Sequence, residues 1–590
     1  MWLTYNNHMS KTAQKPTNDL RDRFEDVSRL VQSGNLKLAN VKVESALADY
    51  PDNINFLHLG GIIKQNVGEI ELADKLLRTA HALRPDQPDI MHNLAVFLLA
   101  TNQPLDAVPL YEQLVLLAPT RAHLWANFGH ALRQSNRLVE SIPAFEKAQE
   151  LDPKNHDMDA VIAMTRRQMA DWAYITKNGA ELPLDKIPAN LAPIFIDDPF
   201  KHLECVKKGA QSIKPVVQFD ARPRTNASRL RIGYLSNDLH EHATSYLVAE
   251  LFGHHNRDQF EVFVYSYGQA GEHPIRTRMQ RGAEHWVNCA GMPPVTIAER
   301  IFNDRIDILI DLKGYTRGGL PEVLASRPAP VIIQWLGYPG SMGTPFVDYI
   351  IADDVIIPLE QNAAYSEKII RLPNTYQIND RERPLLAAKK RGDYGLPEDA
   401  TVLCCFNQTY KITPAVFDVW MRILHDDASA VLWLFSPHKI VQDNLRMEAQ
   451  KRGIAGERLI FADRLPQAEH IARYRHADVV LDTAPYGGHT TTSDALWVGV
   501  PVVALCGKSF ASRVSASLLK AAGLPELIAP SLDIYETKIR ELLKDDDKRA
   551  AIRNHLQQGR ETLPLFDSAG FVKNLEAAYQ QAWNETGLNK

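Results

Sequence analysis

The first quarter of the chain repeats its pattern of large, small and polar positions every 34 residues, and four prolines mark the period at Pro51, Pro85, Pro119 and Pro153. Two of the repeated positions hold large residues: Leu57, Met91 and Trp125 at one, and Leu77, Tyr111 and Phe145 at the other. Two others hold small residues: Gly61, Ala95 and Gly129 at one, and Ala73, Ala107 and Ser141 at the other. Small residues let two antiparallel helices approach closely, and a proline ends the second helix because it cannot continue the hydrogen-bond ladder. The pattern predicts stacked helical hairpins.

This pattern resembles the tetratricopeptide repeat (TPR), with three clear units over residues 53–155 and a weaker one over Asp19–Tyr50. We therefore expect an α-helical TPR solenoid over residues 17–155, after a disordered N-terminus at residues 1–16 in which Met9 is an alternative start to Met1. Stacked hairpins form a concave surface that binds protein segments, so we expect the repeats to recruit a protein partner. Self-association through the repeats stays open.

The period breaks at residues 156–228, which we interpret as a linker or helical joint. Asp159–Trp172 has the pattern of a helix, and a proline-rich stretch after it predicts an irregular connector.

From residue 229 onward, short β-branched apolar runs alternate with amphipathic helices, the pattern of parallel sheets. The predicted strands are RIGYLS, FEVFVYS, IDILIDL and VIIQWLG in a first half, and TVLCCFN, AVLWLFS, RLIFA, DVVLDT and VPVVAL in a second. We expect two doubly wound, Rossmann-like domains over residues 229–380 and 381–590, with a ligand cleft between the carboxyl ends of their strands. No GxGxxG follows any of these strands, so a nicotinamide dinucleotide site is disfavoured.

The overall composition is that of an ordinary globular protein. Apolar residues make up 45% and the formal net charge is −5, which excludes bulk disorder and a globally basic nucleic-acid binder. Five scattered cysteines without a CxxC pair favour neither a disulfide framework nor a metal site, so we expect a cytoplasmic protein. Without an export signal or a run of about 18 apolar residues, no membrane span is expected.

The densest chemical signal follows the predicted strand DVVLDT. The glycine pair Gly487–Gly488 precedes His489, Thr490 and Thr491, where the next helix is expected to begin. Backbone N–H groups and hydroxyls at a helix N-terminus suit an anionic phosphate, and Asp494, one turn later, could accept hydrogen bonds from ribose hydroxyls. The alternative is a capping cluster with a satisfied histidine.

Two further clusters follow strands. After TVLCCFN, Gln408 and Lys411 precede Pro414, which opens a helix, so a lysine able to neutralise a diphosphate is brought to the cleft. Taken alone, a solvated lysine is the commoner explanation. After RIGYLS, His240 and His242 have side chains suited to proton transfer or substrate orientation, and their spacing does not choose between that role and polar surface.

With these residues in view, nearly the whole chain resembles the TPR-containing O-GlcNAc transferases of glycosyltransferase family 41. The resembling motifs are RLRIGYLSNDLHEHATSYL, GYTRG, RPAPVIIQWLGYPGSMG, FNQTYKITP and GGHTTTSDALWVGVPVV. The resemblance implies a GT-B fold and an inverting transfer of GlcNAc, or a close sugar, from a UDP-sugar to Ser or Thr of protein acceptors. It implies no metal and no other cofactor.

The resemblance also assigns roles to single residues. It places His242 near the acceptor as candidate base or positioning group, and Lys411 on the departing diphosphate. The donor contacts that it implies are Gln408, His470 beside the uracil, His489, Thr490 and Thr491 at the phosphates, and Asp494 at the ribose.

The chain departs from the animal enzymes at Gln467, Ala243 and Tyr246, and it lacks the insertion that divides their catalytic halves. These departures favour a bacterial-type member without the intervening domain. A transferase that uses UDP-glucose, one that modifies asparagine or a non-protein glycan, and a TPR scaffold with an inactive transferase domain remain alternatives.

Overall fold

The computed structural model describes residues 18–154, 157–173, 182–220, 228–268 and 271–588. The predicted disordered N-terminus lies outside these residues, as does part of the predicted joint. The chain divides into two compact units, Met1–Pro119 with Gly291–Pro293, and Thr120–Ala290 with Pro294–Lys590. The domain boundaries expected at residues 155, 228 and 380 stay predictions.

The first unit consists of helical hairpins, as the repeat predicts. Its described helices are Asn18–Gln32, Leu36–Asp49, Ile54–Asn66, Ile70–Leu83, Pro88–Ala100 and Pro104–Leu117. Each second helix of a pair ends two residues before one of the periodic prolines. Small and large positions meet directly, because a Cβ built on Gly61 would lie 2.6 Å from Leu77 Cγ.

The turns inside the hairpins carry a second 34-residue signal that the sequence analysis missed. Gly34, Gly68, Asn102 and Asn136 all have left-handed backbone conformations, with φ of 76°, 86°, 60° and 63°. Glycine and asparagine are the residues that adopt this conformation at least cost, so each hairpin turn is specified by its own sequence.

The second unit opens with one more hairpin, Ala122–Gln134 and Leu138–Leu151, followed by the helix Asp157–Gln168 within the predicted joint. The joint also contains Ala192–Phe195 and Pro199–Ala210, which the sequence analysis did not predict. The signal for the latter is local: Asp198 caps it by accepting the N–H groups of Phe200 and Lys201, and proline fills its first position.

Two parallel sheets follow and confirm the predicted pair of Rossmann-like domains. The first has the order β3-β2-β1-β4-β5-β6-β7. Its strands are β1 (Leu230–Ser236), β2 (Phe260–Ser266), β3 (His285–Asn288), β4 (Ile308–Asp311), β5 (Val331–Gln334), β6 (Tyr349–Ala352) and β7 (Lys368–Arg371). In register, Tyr234 of β1 pairs with Val264 of β2 and Ile310 of β4.

The second sheet has the order β10-β9-β8-β11-β12-β13. Its strands are β8 (Val402–Cys405), β9 (Val431–Phe435), β10 (Leu459–Ala462), β11 (Val479–Leu481), β12 (Val502–Leu505) and β13 (Ile528–Ala529). In both sheets the chain reverses its direction of winding beside the first strand, between β1 and β4 and between β8 and β11. Ligand sites of open α/β sheets lie at the carboxyl ends of the strands at such a point.

Helices cover the two sheets: Ala243–Val248, Leu251–His254, Pro274–Gly282, Pro294–Asn303 and Pro321–Ala325 in the first half, and Pro414–Asp426, Lys439–Lys451, Gln467–Arg473, Thr490–Trp497, Phe510–Ala521, Leu532–Lys544, Asp546–Gln558 and Ser568–Glu585 after it. The last helix returns to the first sheet, where the hydroxyls of Tyr579 and Tyr234 lie 3.1 Å apart. Glu576 of the same helix accepts a 2.9 Å bond from buried His255.

Candidate active site

The predicted site residues of the second half gather at the carboxyl ends of β8 and β11, the reversal point of the sheet. Asp482 directly follows β11, and its Oδ1 accepts the backbone N–H of Gly488 at 2.6 Å and the amide of Asn407, after β8, at 3.2 Å. Thr491 donates its hydroxyl to Asn407 Oδ1. These bonds join the two strand ends, and a Cβ on Gly488 would meet Thr492 Oγ1 at 2.5 Å, so glycine is required by close approach.

The helix Thr490–Trp497 begins where the sequence predicts, with His489 as its N-cap and no side-chain hydrogen bond to close its first turn. The N–H groups of a first helical turn have no partner inside the helix, so this end offers donors and a positive dipole to an anion. His489 Nε2 is buried and has no hydrogen-bond partner among the described residues. Burial and the Lys411 charge hold the pKa of His489 well below its usual range, which keeps the ring neutral.

Lys411 lies in a short turn, Thr409–Lys411, after β8. Its Nζ donates to the carbonyl of Gly487 at 2.8 Å and lies 3.9 Å from the ring centre of Tyr486. Burial lowers the pKa of Lys411 to about 8, although the Asp482 carboxylate favours the charged form. The ammonium group is thus held beside the loop that leads into the uncapped helix, with a proton that it loses at moderately alkaline pH.

His470 stands on the helix Gln467–Arg473 in an aromatic surrounding. Its ring centre is 5.5 Å from that of Phe406 and 5.3 Å from that of Tyr474. Arg473 donates to His470 Nδ1, and burial together with that guanidinium lowers the pKa of His470 to about 3. The ring is therefore neutral with its proton on Nε2, a flat group with one donor that suits a planar base. Gln408, in the segment that follows β8, is exposed.

Asp494 lies one turn into the helix Thr490–Trp497, as expected, but its carboxylate is already paired. Arg383 Nη1 donates to Asp494 Oδ1 at 2.9 Å, and the two side chains are 1% and 6% exposed. Burial raises the pKa of Asp494 to about 6 even though Arg383 opposes that shift.

Arg383 was missed by the sequence analysis. It belongs to the connector between the sheets, where its Nη2 also donates to Asn379 Oδ1 at 2.8 Å. Gln377 of the same connector donates to Ser493 Oγ at 2.7 Å. The connector is thereby bonded to the helix that carries the candidate phosphate site, a long-range pairing for which the local sequence holds no signal.

In the first half, His242 follows β1 and caps the helix Ala243–Val248. Its Nδ1 accepts the backbone N–H of Thr244 at 3.2 Å and lies 3.6 Å from Asp238 Oδ2. That carboxylate oxygen also accepts a 2.7 Å bond from buried Lys313, in the loop after β4. Because Nδ1 is an acceptor here, a neutral His242 carries its proton on Nε2; burial lowers its pKa, opposed by Asp238.

One side chain of the first half lies within electrostatic reach of the second. Tyr246, on the helix that His242 caps, interacts electrostatically with Arg464, after β10, and with Asp494, while burial raises its pKa to about 12. No hydrogen bond among the described residues joins His242 directly to Lys411. The structure thus forms one cluster of the predicted donor residues and places His242 on the opposite half.

Within the described ranges, no three His, Cys, Asp or Glu side chains are arranged so that they could hold a metal ion. In the same ranges, no helix combines the length and the apolar character needed to cross a membrane.

Comparison with known proteins agrees with this architecture. The model of the family described as "Glycosyl transferase family 41" matches residues 200–389 and 382–575, and a tetratricopeptide repeat model matches residues 122–155. The solved structure of a mutant O-GlcNAc transferase of Thermobaculum terrenum is similar to this chain, with a TM-score of 0.64 and 26% sequence identity. The match covers 97% of this chain and 99% of that one.

Two curated relatives are a probable UDP-N-acetylglucosamine–peptide N-acetylglucosaminyltransferase, SEC, of Arabidopsis thaliana and a UDP-N-acetylglucosamine–peptide N-acetylglucosaminyltransferase of Caenorhabditis elegans. The first is 40% identical over 60% of this chain and 37% of the relative, the second 29% identical over 63% and 42%. The chain thus spans about two fifths of the length of these relatives. The family model covers most of the α/β region of this chain, and the repeat model covers the last helical hairpin before it. The chain therefore belongs to glycosyl transferase family 41 and carries tetratricopeptide repeats.

Proposed function

We propose that this protein is an inverting glycosyltransferase that moves GlcNAc from UDP-GlcNAc to Ser or Thr hydroxyls of protein acceptors recruited by the repeats. The names of the curated relatives and of the solved structure support this choice of sugar and acceptor. The observation that carries the proposal is the meeting of Lys411 Nζ with the Gly487 carbonyl, directly before an uncapped helix start at the reversal point of the second sheet.

In this proposal the donor lies on the second half. The diphosphate contacts the Lys411 ammonium and the N–H groups and hydroxyls of Thr490 and Thr491, and the uracil lies beside His470. Asp494, oriented by Arg383, meets the ribose, and Gln408 borders the sugar. Fixed dipoles and a positive charge at the place where negative charge develops stabilise the transition state without rearranging during the reaction.

The acceptor hydroxyl oxygen forms a bond to the anomeric carbon from the face opposite the diphosphate, and the bond from that carbon to the phosphate oxygen breaks. The electron pair leaves with UDP, and the hydroxyl proton goes to His242 Nε2 when that nitrogen is unprotonated, or otherwise to water. Lys411 and the helix start supply the positive charge that the leaving group needs, so the proposal includes no metal.

His242 has two roles open to it on this surface. While Nδ1 accepts the Thr244 N–H, the Nε2–H group of His242 can donate a hydrogen bond to the acceptor polypeptide and orient it. If the ring proton moves to Nδ1 and turns toward Asp238, 3.6 Å away, Nε2 becomes a base. The observed bond to Thr244 favours the orienting role.

We further propose a reducing, cytoplasmic setting, because all five cysteines are unpaired and four of them are buried. Recruitment of acceptors by the repeats, and self-association through them, stay predictions of the sequence.

Titration of the purified protein with UDP, followed by incubation with labelled UDP-sugars and protein substrates, tests the proposal. We expect UDP to bind, GlcNAc to be transferred in preference to glucose, and the label to be located on Ser or Thr. Lys411→Ala should abolish transfer in a folded protein. Lys439→Ala, at an exposed lysine, is the matched control and should leave activity unchanged. Absence of UDP binding would support the inactive scaffold, and label on asparagine would support the N-linked alternative.

A further inference from the structure

Three side chains that can carry positive charge meet where the last hairpin approaches the first sheet, and we call His130, Arg133 and Arg317 the cation cluster. Arg317 belongs to the GYTRG loop after β4, and its Nη2 donates to Gln134 Oε1 at 2.6 Å. Gln134 is the last residue of the helix Ala122–Gln134, which also carries His130 and Arg133. All of these residues belong to the second compact unit.

No acidic side chain in the described part of the chain balances this positive charge. Among the described residues, neither Arg133 nor Arg317 forms an ion pair with a carboxylate, and the hydrogen bond from Arg317 goes to a neutral amide. Burial and the Arg317 charge lower the pKa of Arg133, and burial with both guanidinium groups lowers the pKa of His130 to about 4.

Several other arginines of the helical region are paired with carboxylates. The paired examples are Arg78 with Asp74 and Asp106, Arg137 with Glu140, and Arg166 with Glu146 and Asp171. Arg317 is exposed and Arg133 is partly buried, so water screens the repulsion between their charges only in part, and an anion between them would reduce it. The cation cluster is therefore arranged for an anionic partner that the described residues do not provide.

The cluster lies on the acceptor side of the proposed site. Gly318, next to Arg317, approaches Asn237 so closely that a Cβ on it would be 2.0 Å from the Asn237 amide nitrogen. Asn237 precedes Asp238, which binds Lys313 of the Arg317 loop and lies 3.6 Å from His242. The loop that carries Arg317 is thus packed on the loop that leads to His242, in the half opposite the donor residues.

We propose that the cation cluster binds an acidic side chain of the acceptor polypeptide, a carboxylate or a phosphorylated serine, near the hydroxyl that is modified. This inference rests on the proposed function, because it assigns a substrate class to the same site. Guanidinium groups hold carboxylates and phosphates through paired, charge-assisted hydrogen bonds, which give both affinity and orientation. A protein segment is the occupant that fits, since the cluster joins a repeat helix, which is predicted to recruit protein, to the loop beside His242.

The test uses the full-length protein and fluorescent peptides of one length, each with a single serine flanked by glutamate, by phosphoserine, by glutamine or by lysine. Fluorescence anisotropy is measured without any UDP-sugar. The glutamate or the phosphoserine peptide should bind at least about tenfold more tightly than the glutamine peptide, because one hydrogen bond to a charged group contributes binding free energy equivalent to about that factor or more. The preference should weaken as salt is raised. The two acidic peptides show whether a carboxylate or a phosphoryl group is preferred.

Arg133→Gln and Arg317→Gln should each remove most of this preference and keep UDP binding, which reports an intact fold. Arg121→Gln, at an exposed arginine at the start of the same helix, should keep the preference. Arg317→Glu should shift the preference toward the lysine peptide.

Equal binding of the glutamate, phosphoserine and glutamine peptides would overturn the inference, as would an acidic preference that survives both glutamine substitutions. Inorganic phosphate that binds with the same dependence on Arg133 and Arg317, while no acidic peptide does, would also overturn it. Because peptide binding is measured without sugar transfer, acidic peptides that bind through the cluster but never receive GlcNAc would leave the inference standing and refute the proposed function instead.

Discussion

Replacing Arg383 with methionine isolates the contribution of the connector to the donor side. Methionine has a similar length and no charge, so the substitution leaves the Asp494 carboxylate buried without its cation. Both side chains are almost fully enclosed, at 1% and 6% exposure, so water cannot take the place of the guanidinium.

Removing one partner of a buried ion pair costs about 3–5 kcal/mol of unfolding free energy. The loss should depend on pH. Burial already raises the pKa of Asp494 to about 6, and the variant lacks the arginine that opposes this shift. Its folded state therefore holds a proton that the unfolded chain releases near its ordinary pKa of 3.8, and stability falls as pH rises from about 4 through the folded pKa.

Urea unfolding monitored by tryptophan fluorescence at pH 5 and pH 8 measures this loss. Arg383→Met should lower the midpoint more at pH 8 than at pH 5. The double variant Arg383→Met with Asp494→Leu should recover most of the stability, because it removes both charges together. Lys439→Met breaks an exposed pair with Asp443 and should change stability by less than about 1 kcal/mol.

Equal midpoints for Arg383→Met and wild type at pH 8 would refute the reasoning, since an unpaired buried carboxylate would then carry no cost. A double variant as unstable as Arg383→Met would show that packing around Arg383, and not the charge of Asp494, determines the effect.

Three further predictions concern the donor site, the repeats and the acceptor side. Because burial lowers the pKa of Lys411 to about 8, its positive charge is present below that pH and is lost above it. The affinity for UDP, measured by calorimetry, should therefore fall as pH rises through about 8, and it should fall less in Lys411→Arg. Gly129→Ala places a Cβ 2.6 Å from the Phe145 ring and should lower unfolding stability by about 1–3 kcal/mol, whereas Gly209→Ala, with its nearest atom at 3.6 Å, should be neutral or stabilising by thermal unfolding. His242→Gln should slow transfer by about 10²-fold or more at unchanged UDP affinity, and an equal loss of both would contradict its placement on the acceptor side.

The sequence predicted the features that depend on local chemistry. A 34-residue spacing of prolines and small residues predicts hairpins because each position acts within its own repeat, and the steric contacts of Gly61 with Leu77 and of Gly129 with Phe145 show the reason. The helix starts at Thr490 and Pro414 were likewise predicted from residues a few positions apart.

Features that depend on distant pairing were missed. The strands β3, β6, β7 and β13 were not predicted, and their neighbours in the sheet hold them in extended form. Arg383 lies 111 positions from Asp494, so nothing near either residue shows that the two are paired. The sequence therefore predicted that Asp494 could bind a ribose, but not that Arg383 pairs with its carboxylate.

Sugar transfer itself tests the proposed function most directly. The purified protein is incubated with UDP-GlcNAc and a lysate of its source cells, and mass spectrometry then identifies the modified residues. The proposed function predicts N-acetylhexosamine on Ser or Thr, and no such product with Lys411→Ala, although that variant is folded. A folded wild-type protein that binds UDP yet transfers no sugar from any UDP donor, or a fully active Lys411→Ala protein, would contradict it.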